Sequence, residues 1–141
     1  MPAGRRTFLD AGVLIVGARG TESDRERVLA ILEEPGRSFL ASPFLYLEVV
    51  PKATYHKQQA ERAFYDRYFK DATWIRDFER MDETARRESE KHGLGAMDAL
   101  HLAAAYLGNA ADLITTERPA KPLYRSGLAE VVCLYEYGHE S

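Results

Sequence analysis

The sequence predicts an α/β protein, a three-layer α/β/α sandwich with a central parallel sheet of four to five strands. Short apolar runs alternate along the chain with longer segments of helical periodicity. Helix start and stop signals separate these segments, such as Ser42-Pro43 before one predicted helix and Gly93 after another. Because right-handed crossovers place helices on both faces of a parallel sheet, this alternation indicates three layers.

The bulk composition is that of an ordinary globular protein, with 45% hydrophobic and 29% charged residues. We expect residues 1–141 to form a single domain with its own core. The one cysteine, Cys133, cannot form an internal disulfide, which favours a reducing cytoplasm. No segment is apolar enough to span a bilayer, so we expect no membrane partner. The net charge of −3 disfavours nucleic acid over the whole surface, although a local basic rim can still bind phosphates.

The first third of the chain is predicted to contain two strands and two helical segments. A strand over residues 6–10 ends in an acid, Asp10, and is followed by a helical turn over 13–16 and a loop over 17–20. N-cap signals for the next helix are present at Thr21, Ser23 and Glu26, including a Ser-x-x-Glu capping box. The inner side of that helix carries Val28, Leu29, Ile31 and Leu32, and a second strand is predicted over 38–41.

The middle of the chain is predicted to be mostly helical. The helix that starts at Ser42-Pro43 contains Glu48 among apolar residues, and Pro51 is expected to kink or end it. An aromatic helix over 57–70 and a third strand over 74–78 follow. A polar helix over 82–91 is then predicted to stop at Gly93.

The stretch over residues 94–118 carries the most informative pattern. A helix of small and apolar residues over 96–107, closed by Gly108, precedes a buried strand over 113–116, and a last edge strand is predicted over 131–135. A helix that is apolar nearly all round should be buried. The acid in its first turn, Asp98, therefore requires an explanation.

Four acids are predicted to meet at one edge of the sheet: Asp10, Glu48, Asp98 and Glu117. Asp10 ends the first strand, Glu117 follows the fourth, and the other two lie near helix starts. The carboxyl ends of parallel strands share an edge with the amino ends of the returning helices. Burying several carboxylates is costly unless a cation neutralises them, and Mg²⁺ or Mn²⁺ prefers such all-oxygen ligands. The placement therefore predicts a divalent-metal site, whereas Asp112 precedes the fourth strand and belongs to the opposite edge.

Simpler interpretations exist for most of these residues. Asp98 can interact with helix N-terminal amides, Asp10 can cap the turn after its strand, and Glu117 can be an ordinary loop acid. Glu48 gains no capping benefit in mid-helix, which favours a functional role. His101, on the same helix face as Asp98, is expected to be a packed, hydrogen-bonded core histidine rather than a metal ligand.

Several segments resemble the motifs of PIN-domain nucleases, especially the VapC-type toxin ribonucleases. They are Leu9-Asp10-Ala-Gly-Val-Leu-Ile, Ser42-Pro-x-x-x-x-Glu48, Asp98-Ala-Leu-His-Leu-Ala-Ala-Ala and Ala-Asp-Leu-Ile-Thr-Thr-Glu117. The resemblance implies strand order 3-2-1-4-5 and a Mg²⁺- or Mn²⁺-dependent endoribonuclease that cleaves single-stranded or structured RNA by metal-activated water. It implies Asp10, Glu48 and Asp98 as metal ligands, with Glu117 as a weaker fourth. It also implies a homodimer that a partner antitoxin holds inactive.

Further site residues are predicted around these acids. Ser42, Thr115 and Thr116 are candidates for positioning a ligand or water, and the candidates for RNA phosphate contacts are Arg19, Lys52, Arg118 and Lys121. The aromatic surplus is expected to divide between the core and a dimer or antitoxin groove, and comprises Tyr55, Phe64, Tyr65, Tyr68 and Phe69.

Two departures from the family pattern motivate an alternative function. Ala11-Gly12 replaces a small hydroxyl residue followed by Asn or Ser, and Glu117 replaces the usual Asp. These changes favour, as the alternative, a catalytically degenerate PIN-like module that binds RNA or a protein partner.

Overall fold

A computed structural model describes residues 4–137, in which five short strands form one parallel sheet. The strands are β1 (Arg5–Leu9), β2 (Arg37–Ala41), β3 (Thr73–Trp74), β4 (Asp112–Thr115) and β5 (Glu130–Cys133). Their order across the sheet is β3-β2-β1-β4-β5. This order, the parallel pairing and the edge position of β5 confirm the predicted architecture.

Six α-helices connect the strands: α1 (Ala11–Arg19), α2 (Glu22–Leu32), α3 (Pro43–Tyr55), α4 (Gln59–Asp71), α5 (Phe78–His92) and α6 (Ala96–Leu107). Two short 3-10 helices, Pro122–Arg125 and Leu134–Glu136, flank β5. Helix α5 packs on α6, whereas α1 packs against α2, α3 and α4. Among residues 4–137, no helix has the length and apolar character needed to cross a membrane.

Helix α6 has the bounds that its sequence predicts and lies in the core of the protein. Its residues from Leu102 to Ala105 are fully buried, and it contacts β1, β2 and β4. The small side chains allow the helix backbone to approach the sheet closely. This packing fixes the start of α6, and with it Asp98, against the ends of the central strands.

Helix α1 is longer than predicted, because the expected loop over residues 17–20 is helical up to Arg19. A Cβ atom at Gly17 would lie 2.8 Å from both Phe64 Cζ and Val28 Cγ1. Gly17 therefore serves helix packing rather than a turn. The predicted capping box is also wrong, since the Thr21 side chain caps α2 by accepting a hydrogen bond from the Asp24 amide. On the inner side of that helix, Val28 and Ile31 are buried as predicted, whereas Leu29 is largely exposed.

Helix α3 continues through Pro51 to Tyr55, so it does not end at that proline. Pro51 lies on the exposed side of the helix, where solvent can satisfy the carbonyl that a missing amide leaves free. The third strand is shorter than predicted, because Asp77 caps α5 and Phe78 already belongs to that helix. Ser42 caps α3 and Gly93 ends α5 with a positive φ of 74°, both as predicted.

The opposite edge of the sheet contains a separate buried ion-pair network around Asp112. The carboxylate accepts hydrogen bonds from Thr7 Oγ1 at 2.7 Å and from Arg37 at 3.1 Å, and Arg5 forms an ion pair with it at 2.8 Å. Tyr137 and Glu34 complete the contacts of Arg37. Asp112 is the first residue of β4, and it lies at the opposite edge of the sheet from the four acids, as predicted.

Candidate active site

Asp10 follows β1 directly and caps the N-terminus of α1. Its Oδ1 atom accepts a hydrogen bond from the Val13 amide at 3.1 Å, and its Oδ2 atom accepts one from the hydroxyl of Thr115. The residue is only 7% exposed, and burial raises the pKa of its carboxyl from the ordinary 3.8 to about 6. The ionised form is therefore costly in the folded protein, even with two hydrogen bonds.

Thr115 ends β4 and Thr116 follows it, so both residues lie close to the segment that contains Asp10 and Gly12. The fully buried Thr115 hydroxyl donates to Asp10 and accepts a hydrogen bond from the Glu117 amide at 3.0 Å. A Cβ atom at Gly12 would lie 2.3 Å from Thr116 Oγ1 and 3.4 Å from Asp10 Oδ1. Because Gly12 has no side chain, the Thr116 hydroxyl fits into the space beside it. The sequence alone did not predict this fit.

Glu48 lies on α3, whose first turn is fixed by the fully buried Ser42. The Ser42 hydroxyl accepts a hydrogen bond from the Leu45 amide at 3.2 Å, so this side chain sets the start of the helix. Glu48 Oε1 is hydrogen-bonded to Nε2 of His101 on α6. His101 is 3% exposed, and its ring centroid lies 5.4 Å from that of Phe8. The packed, hydrogen-bonded histidine is confirmed, and its partner is one of the predicted site acids.

Asp98 stands in the first turn of α6 and is half-buried. Burial and then the negative charge of Glu117 raise the pKa of its carboxyl, and Glu48 acts in the same direction. The charges of His101 and Lys121 lower it. Asp98 and His101 are in turn among the charges that act on Asp10. The fold therefore places all four acids in one electrostatic neighbourhood, at the edge where topology predicts them.

These side chains do not form a ready coordination shell. Within residues 4–137, no three His, Cys, Asp or Glu side chains are grouped closely enough to hold a metal ion. Asp10 is bound by Thr115 and Val13, and Glu48 is bound by His101. The donor chemistry nevertheless fits a hard divalent cation, because all four acids offer oxygen atoms and their mutual repulsion is relieved by positive charge.

The four predicted phosphate contacts are exposed. Lys121 is close enough to Asp98 to lower the pKa of that carboxyl, and the Arg118 guanidinium lies 4.9 Å from the ring centroid of Tyr135. Arg19 and Lys52 line a groove of about 580 Å³ between α1, α3 and α4, to which Glu48 also belongs. Cations thus lie near both Asp98 and Glu48.

Most aromatic residues of the middle region lie in the core, and the others are accessible at the surface. Tyr65, Tyr68 and Phe69 are buried, whereas Tyr55 is 80% exposed. Phe64 lines a second groove, of about 760 Å³, which lies between α2, β2 and α4.

Comparisons with known proteins agree on the fold. The family model described as PIN domain matches residues 7–119. A search of curated proteins gave no match. Among solved structures, a toxin-antitoxin complex from Klebsiella pneumoniae superimposes with a TM-score of 0.67 at 22% identity, covering 92% of this chain and 98% of that one. VapBC2 from Rickettsia felis, bound to a DNA fragment from its promoter, gives a TM-score of 0.65 at 16% identity, covering 91% and 98%.

Proposed function

The chain belongs to the PIN domain family, and on that premise we propose that it is a Mg²⁺- or Mn²⁺-dependent endoribonuclease. The matched residues 7–119 include Asp10, Glu48, Asp98 and Glu117. The observation that carries the proposal is this match together with the position of Asp98, which lies close enough to Glu117 and Glu48 for both charges to raise the pKa of its carboxyl in addition to burial. Acids from three different parts of the chain act on one another there, which is the arrangement that a cation stabilises.

In this proposal each residue of the site has a defined task. Asp10, Glu48 and Asp98 hold the ion, and Glu117 orients water or contributes to a second ion. When bound, a divalent ion of this kind supplies water activation and stabilises the charge of phosphoryl transfer. Thr115 keeps the Asp10 carboxylate in place by donating its hydroxyl, and the backbone of Glu117 is tied to the same hydroxyl.

RNA is the proposed substrate, and the exposed cations beside the acids support phosphate binding. Arg118 follows Glu117 directly and Lys121 lies three residues further on, while Arg19 and Lys52 line the groove between α1, α3 and α4 together with Glu48. Their positions allow an RNA backbone that crosses the acids to meet positive charge near both Asp98 and Glu48. Such contacts are electrostatic and weaken with salt.

We also propose a homodimer and an antitoxin partner. The structures that this chain is similar to include a toxin-antitoxin complex. The groove between α2, β2 and α4 is largely apolar, with Leu29, Leu32 and Phe64 in its lining, and it suits an apolar segment of an antitoxin. An exposed apolar stripe on α3, formed by Leu47, Pro51 and Tyr55 at helical spacing, supports the homodimer.

RNA cleavage with Mn²⁺ by the wild type, Asp98→Asn and Asp82→Asn tests the proposed activity. Asp82 is an exposed acid on α5, paired with Arg86, and provides a matched control for the loss of one carboxylate. We expect the wild type and Asp82→Asn to cleave equally, EDTA to stop both, and Asp98→Asn to lose at least about 100-fold, a substantial part of what a metal ion contributes. Equal cleavage by Asp98→Asn would reject the assignment. Binding of RNA without cleavage by the wild type would instead favour the degenerate module.

A further inference from the structure

His101 connects the two helices that carry the predicted ligands Glu48 and Asp98. It lies on α6 three residues after Asp98, and its Nε2 atom is bonded to Glu48, which is 53 positions away in the sequence. Its other ring nitrogen, Nδ1, is buried and has no hydrogen-bond partner among residues 4–137. Among these residues, Glu48 is thus the hydrogen-bond partner of the His101 ring.

The pairing with Glu48 fixes the role of one ring nitrogen. A carboxylate can only accept, so Nε2 must carry the hydrogen that is donated to Glu48. The Nδ1 atom has no acceptor among the described residues, so it makes no second hydrogen bond that could turn the ring away from Glu48.

The surroundings of His101 hold its ring in one orientation. The ring packs against that of Phe8 in β1, with centroids 5.4 Å apart and planes inclined by 36°. The helix that carries it is fully buried from Leu102 to Ala105, so its backbone has little freedom to shift. The Nε2 donor is therefore held in one position, and its hydrogen bond can restrain the longer, partly exposed side chain of Glu48.

We propose that His101 is a positioning residue that fixes the Glu48 carboxylate beside Asp98. Glu48 has a flexible side chain that is one-third exposed, and without a partner it would sample many rotamers in solvent. The hydrogen bond restricts that motion before any ligand arrives. The inference rests on the proposed function, since it assigns to His101 the orientation of one of the proposed metal ligands.

A merely structural role is the alternative, in which His101 fills space next to Phe8. The two roles differ in what a substitution must preserve. Filling space requires volume, which Leu retains, whereas positioning requires a donor near the Nε2 position, which Gln retains. We therefore expect His101→Gln to behave like the wild type and His101→Leu to be impaired.

Calorimetric titration with Mn²⁺ provides the first measurement. His101→Leu should bind Mn²⁺ about 10-fold or more weakly, as is typical when a residue that orients a ligand is lost, and His101→Gln should recover most of the affinity. His92→Gln, on α5 and paired with Glu88, is a matched control that should not change the affinity. Thermal melting in EDTA verifies that each variant is folded. Equal Mn²⁺ affinity in a folded His101→Leu would overturn the inference while leaving the proposed function intact.

Nitrogen-15 NMR of the metal-free protein provides the second measurement, which does not depend on the proposed activity. Nε2 of the His101 ring should carry a hydrogen, and Glu48→Gln should shift the Nε2 signal more than Glu61→Gln, a change on α4, does. An Nε2 without a hydrogen, or a signal that Glu48→Gln leaves unchanged, would overturn the inference. If the wild type binds no Mn²⁺ and these NMR signals are as expected, the proposed function fails and the pairing of His101 with Glu48 stands.

Discussion

Replacing Asp10 by Asn should stabilise the metal-free protein, although Asp10 is a proposed metal ligand. Burial raises the pKa of its carboxyl from 3.8 to about 6, so ionisation at pH 7.5 costs the folded state free energy relative to the unfolded chain. At about 1.4 kcal/mol per pH unit, this cost amounts to about 3 kcal/mol. Asn has only one acceptor oxygen for the two donors Val13 and Thr115, so its NH2 group meets one of them without accepting a hydrogen bond, and about 1 kcal/mol of this gain is lost. We expect Asp10→Asn to raise the free energy of unfolding by about 2 kcal/mol.

The pH dependence has a definite sign. A carboxyl whose pKa is raised by folding favours the protonated, folded form, so its stabilisation is complete below 3.8 and is lost as the pH rises through about 6. At pH 5, about half of the free-energy cost of ionising Asp10 remains. The increase in the free energy of unfolding that Asp10→Asn causes should then fall below about 1 kcal/mol. Saturating Mn²⁺ should reverse the order at pH 7.5, because only the wild type keeps the full set of proposed ligands.

Urea unfolding of the wild type, Asp10→Asn and Asp112→Asn in EDTA measures these differences. Asp112 is the matched control, as a fully buried aspartate of the same sheet whose charge is paired with Arg37 and Arg5. Its replacement should destabilise the protein by about 3 kcal/mol, because it leaves a buried guanidinium without its partner. The reasoning is refuted if Asp10→Asn is less stable than the wild type at pH 7.5 in EDTA.

Two further predictions concern packing and assembly. Gly17→Ala should lower the free energy of unfolding by about 1–2 kcal/mol, because overpacking against Phe64 and Val28 outweighs the gain in helix propensity. Gly127→Ala, with open space around Gly127, should change the free energy of unfolding little in the same urea titration. If α3 forms the proposed dimer, Leu47→Asp and Tyr55→Asp should each give a particle of about half the wild-type mass by light scattering, because each places a charge in an apolar contact. Tyr106→Asp on α6 should leave the particle mass unchanged. Dimers in all variants would exclude the α3 stripe as the dimer contact.

The sequence predicts best those features that depend on neighbouring residues along the chain. The bounds of α6 are correct because its apolar character is continuous and Gly108 ends it. The cap at Ser42 is local as well. The edge location of the four acids follows from parallel topology, which needs only the order of strands and helices.

The remaining features depend on residues that are distant in sequence. The sequence around Gly17 is compatible both with a loop and with a close contact between helices. Only the positions of Phe64 and Val28 in the structure distinguish the two. The pairing of Glu48 with His101 requires α3 and α6 to be placed side by side. The fit of Thr116 over Gly12 likewise joins residues 104 positions apart, so the sequence alone cannot show that Gly12 leaves space for a hydroxyl.

The central claim is that acids from separate segments share one cation site. Calorimetric titration of Mn²⁺ into the wild type, Asp10→Asn, Glu48→Gln and Asp98→Asn at pH 7.5 tests it most directly, with Asp82→Asn as the surface control. We expect saturable uptake by the wild type and the control, and affinity weaker by at least about tenfold in each of the other three variants. No uptake by the wild type, or equal affinity in all five proteins, would contradict the claim.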